Sequence, residues 1–179
     1  GTGTFYKSQI EFQLKRNRNF LYTRFAPELA SFLKMELGVP LELILENRTM
    51  QDLYELSDIH HVYPYVKRKA EYVAALNEKL KKTDMGRVLE EMDIQEYLNF
   101  RQLIMTGKTQ CPENDLLEDY FPVLDYYGLI CISKKTGPQL ALSLMQYYEE
   151  WLDPEKEMDF RIGKRLAFVI EGCAFYYGM

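Results

Sequence analysis

Two histidines, His60 and His61, stand side by side and are the first residues to consider for metal or acid–base chemistry. In a helix, adjacent side chains point about 100° apart, so such a pair seldom grips one ion, and a surface or capping role is the expectation. Cys111, Cys131 and Cys173 form no Cys-x-x-Cys pair, and each sits among apolar neighbours, where a cysteine packs as a small hydrophobe. Glu90-Glu91, Glu118-Asp119 and Glu149-Glu150 are adjacent acids flanked by helical pattern, which suits solvated helix faces better than a catalytic dyad. There is no Gly-x-Ser-x-Gly elbow, phosphate-cradling loop or metalloprotease helix. The chain is therefore expected not to be an enzyme, and no catalytic residue, metal ligand or cofactor is assigned.

Aromatic residues are the next candidates. Fourteen tyrosines and ten phenylalanines, paired at Tyr126-Tyr127, Tyr147-Tyr148 and Tyr176-Tyr177, either pack a core or line an apolar pocket between helices. If a pocket forms, Tyr97, Phe100, Met105, Tyr120, Leu124 and Tyr127 are its expected lining, with methionines such as Met92 and Met105 able to adapt to a ligand. The net charge of −5 over 179 residues argues against a broad nucleic-acid footprint and leaves only a local basic patch. Lys7, Lys15, Arg16, Arg18 and Arg24 make the densest basic stretch. At 47% hydrophobic, the chain can bury roughly 70% of its unfolded surface as a single domain without disulfides. The odd cysteine count fits a reduced, cytoplasmic setting, and no apolar run reaches the roughly 18 residues that a spanning helix needs.

The elements that must position these residues read as all-α, with about eight or nine helices. Ile10, Leu14, Leu21, Phe25, Leu29 and Phe32 recur at helical spacing, and Gly38-Val39-Pro40 stops that segment. Thr49 caps a short helix to about Leu56, and Pro64 opens another to residue 82. Asp84 and Asp93 cap the next two, Asp93 with Glu96 as a reciprocal box, and Gly107 ends the second of them. Residues 108–114 read as a loop, and a helix bent at Pro122 follows from Asp115. Leu129-Ile130-Cys131-Ile132 before the Ser133–Gly137 turn also admits a helix-then-wing reading over residues 128–138, although no second wing strand is evident. Pro138 opens a helix through Trp151, and Asp153-Pro154 starts the last one. The turn between them is short, which predicts an antiparallel hairpin over 138–178. On the final helix Ile162, Leu166, Val169, Cys173 and Tyr176 form one stripe, and Gly163, Ala167, Ile170 and Ala174 form a smaller-residue one, so both faces are expected to be buried, inside the domain or against a second copy.

The opening run Gly1-Thr2-Gly3-Thr4-Phe5-Tyr6-Lys7-Ser8, followed by Ser8-Gln9-Ile10-Glu11-Phe12, resembles the junction between recognition helix and fourth helix in TetR-family transcriptional regulators. The helix from Ile10 resembles that family's connector, and Ile170-Glu171-Gly172 is similar to a tripeptide of its last helix. The resemblance implies a ligand-sensing body that homodimerises through a four-helix bundle and binds a small apolar or aromatic ligand. DNA would be reached only through a head missing from this chain, of which residues 1–9 would be the remnant, with Thr4, Tyr6 and Lys7 nearest the nucleic acid. Leu144, Tyr148, Gly163, Ala167, Ile170 and Ala174 would form the dimer interface. The alternatives are a helical protein-interaction (adaptor) domain from a larger protein, or an all-α domain without a ligand, with no membrane partner in any case.

Overall fold

The computed structural model describes residues 37–176. Among them run β1 (Gly38–Val39), α1 (Leu41–Glu46), α2 (Met50–His60), α3 (Lys69–Leu80), α4 (Met85–Glu91), α5 (Ile94–Thr106), a 3-10 turn (Asn114–Leu116), α6 (Leu117–Tyr120), α7 (Pro122–Tyr126), β2 (Ile130–Ser133), β3 (Gly137–Ala141), α8 (Leu142–Trp151) and α9 (Pro154–Tyr176). The first apolar-periodic segment, the basic stretch 7–24 and Thr4, Tyr6 and Lys7 lie outside the described residues.

The caps form where local chemistry dictates. The Thr49 hydroxyl accepts from Asp52 N–H, the Asp84 carboxylate from Gly86 N–H, and Asp153 from Glu155 and Lys156 N–H. Gly107 closes α5 in the left-handed conformation (φ 72°), and His61 does the same for α2 (φ 56°), which is the capping role expected of the histidine pair. Its neighbour His60 is buried, with Nε2 2.5 Å from the Tyr126 carbonyl.

Five expectations are corrected. The fold is mostly helical but not all-α. The central β3 pairs antiparallel with β2, Ile130 opposite Leu140, and parallel with β1, Gly38 opposite Leu140. The second wing strand is thus Gly137–Ala141, and the helix expected from Pro138 begins at Leu142. Pro138 is tolerated because β1 pairs only at Leu140 and Ala141, so the proline has a ladder partner on one side alone. Pro64 opens no helix: α3 starts at Lys69, after an irregular stretch that follows the left-handed His61. Pro122 breaks the helix from 115 instead of bending it, because Phe121 adopts φ −140°, ψ 58° and α7 restarts on the proline. Finally, Asp93 accepts from Glu96 N–H at 2.8 Å, but the Glu96 carboxylate does not reciprocate and is used elsewhere.

The core has two parts. Leu45, Leu53, Leu56, Tyr72, Val73, Leu76 and Leu80 pack α1 against α2 and α3. A larger cluster under α4, α5, α8 and the sheet contains the fully buried Tyr97, Phe100, Phe121 and Tyr148. Gly128 (φ 67°) turns the chain from α7 into β2 against the smaller cluster. A Cβ there would lie 3.1 Å from Leu80 Cδ1 and 3.4 Å from Leu45 Cδ2, so both backbone angle and space require glycine.

Candidate functional site

α9 is the element that stands out, because its root is fixed by a buried polar cluster while its length is exposed. Glu157, in its first turn, is 5% exposed. Its Oε2 accepts from Arg101 Nε at 2.7 Å and from the Tyr97 hydroxyl at 2.7 Å. Because Tyr97 spends its one proton on the carboxylate, Tyr148 donates to the Tyr97 oxygen across 2.9 Å. Burial, then neighbouring Tyr148 and Glu157, pushes the Tyr97 phenol far above its ordinary value, and burial does the same to Tyr148. Both therefore stay protonated and act as donors. Trp151 and Phe160 close an aromatic cage, each in edge contact with Tyr97 at 6.4 and 5.0 Å between centroids. Further along, the Lys164 ammonium donates to the Glu90 carbonyl.

At about 100° per residue, Glu157, Phe160 and Lys164 lie on one side of α9, toward α4 and α5. Met158, Ile162, Leu166 and Val169 lie on the other, and they are 49%, 60%, 59% and 52% exposed. Ile170 is exposed as well, next to the open Gly163 and Ala167. Of the two ways to cover a helix that is apolar on both faces, the inside of the domain or a second copy, the single chain does not supply the first along Met158, Ile162, Leu166 and Val169. α9 packs on α5 rather than running back along α8 as a hairpin, because Glu157, held by Arg101 and Tyr97 of α5, draws its first turn there.

The sequence-predicted dimer residues therefore separate. Leu144 and Tyr148 are fully buried in the chain's own core, whereas Gly163, Ala167 and Ile170 are on the exposed length of α9, and Ala174 lies in its last turns. The predicted pocket residues do come together in one buried cluster. Tyr97, Phe100 and Leu124 are fully buried, and Met105, Tyr120 and Tyr127 pack against the same cluster. An open groove of about 380 Å³ lies elsewhere, between α1, α3, α4 and α8, lined in part by Leu41, Glu42, Asn77, Lys81, Leu142 and Gln146. None of the predicted pocket residues lines it. No group of three metal-ligating side chains occurs among the described residues, and none of their helices is long and apolar enough to cross a membrane.

Sequence reasoning missed the burial of Glu157 and of two further charges, Glu96 and Arg48. Glu96 is 1% exposed, and its carboxylate accepts from Val123 N–H at 3.0 Å and Leu124 N–H at 2.9 Å. It thereby caps α7 from a residue on α5, since that short helix has no side-chain cap of its own. Burial pushes the carboxyl up to about 7, against the downward pull of those two amides and with Asp93 and Asp125 adding to the rise. The folded state thus binds the Glu96 proton more tightly than the unfolded chain does. Its contribution is fully present below the unfolded value and is lost as pH rises toward 7. Unfolding in denaturant at about pH 5 and about pH 8 should show a loss on the order of 3 kcal/mol in the wild type that Glu96→Gln lacks. An equal pH dependence in the two proteins would contradict this role. The other charge, Arg48, ties α2's start to β2 and α7 and is taken up in the Discussion.

Comparison with protein-family models, with curated proteins and with solved structures finds no match to this chain.

Proposed function

We propose that this chain is a helical association module that pairs with a second copy of itself through the outward face of α9. The observation that carries the reading is the apolar stripe Met158, Ile162, Leu166 and Val169, about half exposed and turned away from the cluster that anchors the helix. From Ile162 the steps are four, three, four and three residues, through Leu166, Val169, Cys173 and Tyr176, the spacing of a coiled-coil seam. A long helix with such a face gains by covering it, since each large apolar side chain buried is worth about 1.5–3 kcal/mol. Gly163 and Ala167 beside the stripe allow a second helix to come close. The body behind α9 supplies a rigid base, filled by its own aromatic side chains.

The same face would serve a TetR-like regulator body. That reading asks in addition for a chamber among Tyr97, Phe100 and Leu124, where the side chains meet each other, so the geometry supports it less. Sedimentation equilibrium of the whole chain tests the association module: the expected mass at micromolar concentration is twice that of one chain, and a stable monomer contradicts it. Saturable binding of a small apolar ligand that quenches Trp151, beside Tyr97, would favour the regulator.

A further inference from the structure

We propose that the loop between α2 and α3 is a binding site for single-stranded nucleic acid, with Tyr63 and Tyr65 as stacking platforms and Lys67, Arg68 and Lys69 as the phosphate contacts. Tyr65 is 101% exposed, Tyr63 59% and Val66 40%, whereas Tyr72, Tyr97, Phe100, Phe121 and Tyr148 are buried. An aromatic ring left wholly in water gains nothing for the fold. Two of them within three residues make a surface on which bases can stack, because every base has a π-face.

The charge pattern points the same way. The chain carries 27 acidic residues against 22 basic ones, yet residues 59–70 contain no acid and three consecutive cations. Lys67, Arg68 and Lys69 are all exposed, and none is in an ion pair with a described residue. They also gather at the N-terminus of α3, where the helix dipole disfavours positive charge, and Arg68, the cap residue, makes no side-chain capping bond. Their position works against helix stability, and a polyanion would offset that cost. Lys67 reaches over the buried Tyr72 ring at 5.9 Å, and the exposed Tyr54 meets Tyr72 edge-on at 5.2 Å, so an exposed ring on α2 lies near the loop. Two acids flank the segment: Asp58, which hydrogen-bonds the Tyr63 hydroxyl, and Glu71 in the first turn of α3.

A flexible strand fits this surface better than a duplex or a lipid bilayer does. A strand can lie across the loop alone, whereas a rigid duplex or a flat anionic membrane brings its charge against the acidic remainder of the body. A duplex, moreover, has no unstacked bases to offer the tyrosines.

The test is fluorescence anisotropy of a labelled oligothymidylate with the full chain, beside the same strand in duplex form and vesicles containing phosphatidylserine. Tyr63→Ala with Tyr65→Ala should weaken single-strand binding at least tenfold while leaving charge unchanged. Lys67, Arg68 and Lys69 exchanged together for glutamine should lower the slope of log affinity against log salt by about 2. All five side chains are exposed, so circular dichroism should show unchanged folding. The basic stretch 7–24 could hold a strand by charge alone, and the tyrosine dependence separates the two. No binding at low salt, binding indifferent to the tyrosine pair, equal affinity for the duplex, or capture by vesicles without the oligonucleotide would each overturn the proposal.

Discussion

Arg48→Ala is expected to lower the free energy of unfolding by about 3 kcal/mol, near the low end of what removing one partner of a buried ion pair costs. Arg48 is 3% exposed although it lies in the three-residue connection between α1 and α2. Its Nε and Nη2 donate to the Ile130 carbonyl at 3.2 and 2.9 Å, and Nη2 also meets Asp125 Oδ1 at 2.9 Å. Nη1 stands 4.0 Å from Asp52 Oδ2, a buried oxygen with no hydrogen-bond partner among the described residues. Truncation would leave two carboxylates without their cation and a strand carbonyl without its donor. The low end applies because Asp125 is 30% exposed and can turn toward water. Arg48→Lys keeps the charge but loses the planar fork that serves carbonyl and carboxylate together, so it should recover only part of the loss. Denaturant midpoints of the three proteins decide the matter, and a change below about 1 kcal/mol in the alanine variant would sink the assignment.

Glu157→Ala has the second large effect, and its signature is local as well as global. The carboxylate is the one acceptor shared by Arg101 and Tyr97, and its side chain is 7% exposed. Removing it strands a guanidinium that is only 24% exposed and leaves the Tyr97 proton without its acceptor, at a cost of about 3 kcal/mol. Since this residue fixes the first turn of α9 to α5, amides over 156–166 should exchange faster than those of α5 itself. Glu157→Gln keeps a neutral acceptor and should lie between the two. Uniform exchange through α5 and α9, with the alanine variant as stable as the wild type, would show that α9 is held by something other than this carboxylate.

How far the sequence discloses this arrangement depends on whether a signal is local. Thr49, Asp84, Asp93, Asp153 and Gly107 act within a turn of their own position, and each cap or stop forms as read. Pro138 illustrates the opposite case. Proline after glycine reads as a helix start, and only the pairing of Ile132 with Pro138 and of Leu140 with both neighbours makes the segment a strand. Glu96 looks like half of a capping box because the spacing is right, but its carboxylate serves amides 27 and 28 residues away. No pattern foretells Arg48, whose partners at Asp125 and Ile130 are 77 and 82 residues distant. The apolar stripes of α9 are visible in the sequence, which leaves open whether the domain or a second copy covers them. Apolar character says that a face gains from a partner and does not say that the partner is in the same domain.

The central claim, that α9 is an association helix, is tested most directly by sedimentation equilibrium of the wild type beside Ile162→Glu with Val169→Glu. Both positions are more than half exposed in the single chain, so the charges do not enter its core. The account predicts a dimeric wild type, and a variant that is monomeric at the same concentration with unchanged helical content. A monomeric wild type, or a double variant that remains dimeric, would contradict it.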